Sequence, residues 1–82
     1  MGIESFLNTE SKIEALQELK MLIAKEIYIK CITLGFDPDE FDHVEYVSSF
    51  EQNPVTAEGI NQNYLLGLCK KMLIVESKIG AI

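Results

Sequence analysis

Eighty-two residues at 9.3 kDa make one small domain. A chain of that size buries only about 60% of its unfolded surface, so a lone monomer is marginal. The apolar share of 48% excludes disorder over the bulk of the chain, and seven Lys without any Arg, at a net charge of −6, argue against nucleic acid or an anionic membrane as a partner.

The first long element is expected as a helix over about 9–34. Asn8 or Thr9 can cap it, and Ser11-Lys12-Ile13-Glu14 has the form of a capping box one turn later. Ile13, Leu16, Leu19 or Lys20, Ile23, Ile27, Cys31 and Leu34 recur at helical spacing. Met21, Leu22, Ile29 and Ile32 form a second set that widens this stripe, and Glu26 and Lys30 make an i,i+4 pair. Gly35 suits the left-handed position that ends a helix.

A short helix is expected over 38–50. Asp37 would cap it, Pro38 would take its first position, and Phe36 and Phe41 have the spacing of a hydrophobic staple. Phe41, Val44, Val47 and Phe50 recur every three residues, while a strand across 43–50 is the rival assignment. Asn53-Pro54 marks a break, with Thr56 as a further candidate cap. The third helix is expected over 56–79, with Ile60, Tyr64, Leu68, Met72, Val75 and Ile79 on one face and Leu65, Leu66, Cys69, Leu73 and Ile74 broadening it. Gly67 inside it is either weak punctuation or a point of close helix approach.

The fold expected is therefore all-α, a single domain over 1–82 with a long–short–long helical hairpin. Two wide apolar stripes exceed what one hairpin can cover, so assembly into a dimeric or larger helical bundle is expected. Cys31 and Cys69 sit in apolar runs and read as small buried hydrophobes in a reducing compartment. Without CxxC or Cys/His ligand spacing no structural zinc is expected. Met1 to Leu7 carries no basic residue and no long apolar core, and no apolar run approaches the roughly twenty residues of a membrane span. A cytoplasmic location follows as the expectation. Ten Ile with no Arg point to an AT-rich genome, so a bacterial cell or a phage-infected host is the setting expected.

Charge is the least ordinary feature. Between Cys31 and Cys69 there is no Lys, while Asp37, Asp39, Glu40, Asp42, Glu45, Glu51 and Glu58 all lie there. Asp37, Asp39, Glu40, Asp42 and Glu45 are the expected partner-binding surface, aimed at a protein partner of basic character. The aspartates do not form a calcium loop, since Phe41, Asp42 and Ser48 fall where a ligand, a glycine and a glutamate belong. His43, the sole histidine, lacks a nucleophile and an orienting group in its neighbourhood of sequence, and no motif for nucleophilic, metal or nucleotide chemistry occurs. No catalytic residue, metal site or cofactor is expected. The chain reads as a small acidic interaction protein of the regulator, inhibitor or antagonist kind. The alternative is an oligomer that holds a nucleotide or metabolite between protomers through Tyr28, Tyr64, Lys70 and Lys71.

Overall fold

Asn8 opens the first helix through a local bond: its side-chain Oδ1 accepts from the Ser11 N–H at 2.8 Å. The computed structural model describes residues 2–52 and 60–81. It places α1 at Thr9–Leu34, α2 at His43–Gln52 and α3 at Ile60–Gly80, with one 3₁₀ turn at Ile3–Phe6. The chain is all-helical over the described residues, and 43–50 belong to a helix rather than to the rival strand. Ser11 lies within α1, so the cap is Asn8 rather than the box that begins at Ser11.

α1 stops where glycine permits it. Gly35 has φ 81°, its N–H donates to the Ile32 carbonyl at 3.2 Å, and the Phe36 N–H donates to the Cys31 carbonyl at 2.8 Å. These two bonds satisfy carbonyls the helix leaves open, and a side chain at 35 would be strained in the left-handed conformation.

The second helix starts five residues later than the sequence suggests. Residues 38–40 form a turn, with the Glu40 N–H donating to the Asp37 carbonyl at 3.2 Å and the Asp39 N–H to Asp37 Oδ1 at 3.0 Å. Asp at the first and Pro at the second position of a turn is as favourable locally as Asp capping a helix with Pro at its first position. Asp42 is the real cap: its Oδ1 accepts from the Val44 and Glu45 N–H groups at 2.9 and 3.2 Å. Asp42-His43-Val44-Glu45 is itself a capping-box spacing, and Phe41 against Tyr46, centroids 5.3 Å apart, is the staple that belongs to it. The shift also rotates the helix. Val47 is buried and Val44 is half exposed, because from His43 onward the inward positions run 43, 46, 47 and 50 instead of every third residue. Asp42→Ala should cost about 1 kcal/mol of stability and Asp37→Ala clearly less. Chemical denaturation followed by far-UV CD ranks the two, and a larger loss at Asp37 would restore the earlier helix start.

The break at Asn53-Pro54, the cap at Thr56 and the expected helix start at 56 lie outside the described residues. α3 returns antiparallel along α1: Tyr64, near its start, meets Glu26, while Lys78, near its end, shares a groove with Leu16. The core is one cluster of Ile23, Ile27 and Cys31 from α1, Val47 from α2, and Leu65, Leu68, Cys69, Met72 and Val75 from α3. The buried line of α3 thus runs through Leu65 and Cys69, and Tyr64 stands half exposed beside it. A Cβ at Gly67 would meet nothing within 4 Å among the described residues, so this glycine marks no close helix approach there.

Candidate interaction site

Four aromatic rings carry the acidic segment. Phe36 stacks on Phe41 at 6.1 Å and meets Tyr46 edge-on at 6.2 Å, and Tyr46 in turn meets Phe50 at 5.1 Å. Phe36 lies just past the end of α1, Phe41 just before α2, and Tyr46 and Phe50 one turn apart on α2. The connection between the two helices is therefore pinned at both ends by apolar contact, of the order of 1 kcal/mol per ring pair beyond area burial.

On this base all five expected partner-binding residues, Asp37, Asp39, Glu40, Asp42 and Glu45, are exposed. They divide by role. Asp37 and Asp42 spend a carboxylate oxygen on backbone N–H groups and so hold the turn and the helix start. The carboxylates of Asp39, Glu40 and Glu45 enter no hydrogen bond or ion pair among the described residues. Glu40, Asp42 and Glu45 converge on a shallow hollow of about 290 Å³, whose other walls are Phe41, Tyr46 and Ser49. Carboxylates around an aromatic floor suit a Lys or Arg side chain, the acids taking the charge and the rings the stem or the cation face.

His43 points the other way, from the first turn of α2 to α3, and its Nε2 donates to Glu76 Oε1. The orienting carboxylate that the sequence did not reveal is thus 33 residues away. Its use here is to join α2 to α3. The two thiols are fully covered, and burial pushes both up, Cys69 to about 11 with the neighbouring Cys31 adding to the effect. Both stay protonated at neutral pH, the unreactive form.

The residues of the ligand-binding alternative do not share one cavity within the chain. Tyr28 is exposed on the outer side of α1 beside Met21, Lys25 and Ile29. Tyr64 donates its hydroxyl to Glu26 Oε2 at 3.2 Å, and the Lys30 ammonium lies 4.9 Å from the centre of its ring. The Glu26 carboxylate holds the Tyr64 phenol above its ordinary pKa by charge and by that bond. Lys70 is exposed, and Lys71 edges an apolar groove of about 440 Å³ between α1 and α3, beside Leu19, Leu22, Ile74 and Lys78. This groove escaped the sequence reading, because Leu19 and Ile74 become neighbours only when α3 lies against α1.

Among the described residues no group of three or more His, Cys, Asp or Glu is placed to hold a metal ion, and no helix there is long and apolar enough to cross a membrane. In comparison with known proteins, no family model, no curated protein and no solved structure matches the chain.

Proposed function

We propose that the protein is a small acidic interaction protein without catalysis, which docks a basic protein partner through the segment Asp37–Glu45 and assembles as a helical bundle. The observation that carries the reading is the hollow rimmed by Glu40, Asp42 and Glu45 over Phe41 and Tyr46. It accepts a cationic side chain from a partner, and the acids around it steer that partner in from a distance. The turn at Asp37 and the cap at Asp42 hold the ridge in place before binding, which lowers the ordering cost of docking. Binding of this kind, by occlusion or bridging, suits a regulator, inhibitor or antagonist working in a bacterial or infected-host cytoplasm.

The test replaces acids whose carboxylates make no hydrogen bond or ion pair among the described residues. Glu40→Lys with Glu45→Lys reverses the rim and leaves the Asp42 cap intact. Titration with a Lys- and Arg-rich peptide, read by backbone amide NMR shifts, should move residues 39–49 of the wild type and weaken with added salt. In the double variant those shifts should vanish while the CD spectrum is kept. Equal shifts in both proteins would sink the docking site. The ligand-holding alternative keeps one observation in its favour, Lys71 and Lys78 beside the apolar groove. A thermal shift with nucleotides and metabolites but none with the basic peptide would favour it.

A further inference from the structure

We propose that the uncovered side of α1, continuous with the α1–α3 groove, binds the same surface of a second copy of this chain. The proposal deepens the assembly part of the reading above and stands apart from the acidic ridge. Its first support is continuity. Met21, Leu22, Tyr28, Ile29 and Ile32 each keep more than half of their surface exposed, and Ile74 does so on α3. Leu22 lines both the groove and the first hollow of the outer face, and Met21 links that hollow to the next. The stripe from Glu18 to Ile32 is roughly 21 Å long at 1.5 Å per residue. That length fits a helix better than a small molecule.

Area is the second support. The six side chains of this face together leave on the order of 600 Å² uncovered, close to the roughly 800 Å² that each partner contributes to a stable interface.

Charge is the third, and it selects the face on which two copies can meet. Two copies at −6 repel each other over most of their surface. On the outer hollows the charged residues are Glu18 and Lys25, which cancel, and on the groove they are Glu26, Lys71 and Lys78. This face is thus slightly positive on an acidic chain, and Asp37–Glu45 contribute no residue to it. Like-charged copies meet there at least cost, and a two-fold axis lets one patch cover the other.

The experiment is solution mass by light scattering on the full chain at several concentrations, with far-UV CD on the same samples. The wild type should weigh twice 9.3 kDa. Met21→Glu with Ile29→Glu sets like charges against each other across the axis and should give a helical monomer. If that variant loses its helicity, Met21→Ala with Ile29→Ala asks the same question without new charge, and its dissociation constant should rise about tenfold or more. A monomeric wild type would overturn the proposal together with the assembly reading. A dimer that neither variant weakens would overturn the assignment of this face alone and leave assembly standing.

Discussion

Leu65→Ala is expected to lower the free energy of unfolding by about 2–5 kcal/mol, the largest effect of any single truncation among the described residues. Leu65 is fully buried, on the line of α3 that meets both α1 and α2, so no solvent-facing movement can refill the space it leaves. For 82 residues the whole stability is on the order of 4–12 kcal/mol, so the variant stands near the edge of folding. Leu22→Ala is the matched control. Leu22 is 60% exposed within one chain, and its truncation should shift stability little where copies are dilute and more where they associate. Denaturant titration of both variants at two protein concentrations separates the core of the chain from the face between chains. A loss at Leu65 no larger than at Leu22 would contradict a core centred on Leu65, Cys31 and Cys69.

Alkali should weaken the fold in a defined window. Burial raises the Cys69 thiol from 9.0 to about 11, and it raises Cys31 in the same direction. The native state therefore holds these protons more tightly than the unfolded chain. The stability this contributes is complete below about pH 9 and is lost as the pH climbs through about 11, on the order of 2–3 kcal/mol for Cys69. Tyr46, raised first by burial and then by the two thiols, works in the same direction. Denaturation midpoints should fall across that window, and Cys69→Ala should flatten the fall. A wild-type midpoint that stays level would refute the linkage. At neutral pH the same burial predicts that thiol reagents label the two cysteines only as fast as the fold opens.

The ends of α1 are determined by the residues themselves. Asn8 and Gly35 bracket α1, and both act within four residues along the chain: a side-chain oxygen on a nearby N–H, and a backbone without a Cβ at positive φ. Local chemistry of this range is legible in any sequence. The inner positions Ile23, Ile27 and Cys31 follow from the helical period once α1 exists, and so does the surplus stripe of Met21, Leu22, Ile29 and Ile32, which remains exposed.

The start of α2 was open to two local solutions. Asp37-Pro38 can begin a helix or a turn, and Asp42-His43-Val44-Glu45 can cap a helix five residues later. Packing decides between them: the later start lets Phe41 meet Tyr46 and turns Val47 into the core against α3. The acidic residues themselves were visible from composition. Their division into caps, Asp37 and Asp42, and unbonded carboxylates, Asp39, Glu40 and Glu45, depends on that start and so was not.

Contacts between residues far apart in the chain belonged to the tertiary structure alone. His43 and Glu76 are 33 residues apart, Glu26 and Tyr64 are 38 apart, and nothing in either neighbourhood announces the other. The groove beside Leu19, Lys71 and Ile74 exists only because α3 lies antiparallel on α1 in one register. A helix repeats every 3.6 residues, so its sequence states which faces want cover. Which helix supplies that cover, and where along its length, is set by the sum of many weak contacts that form only when the chain has folded.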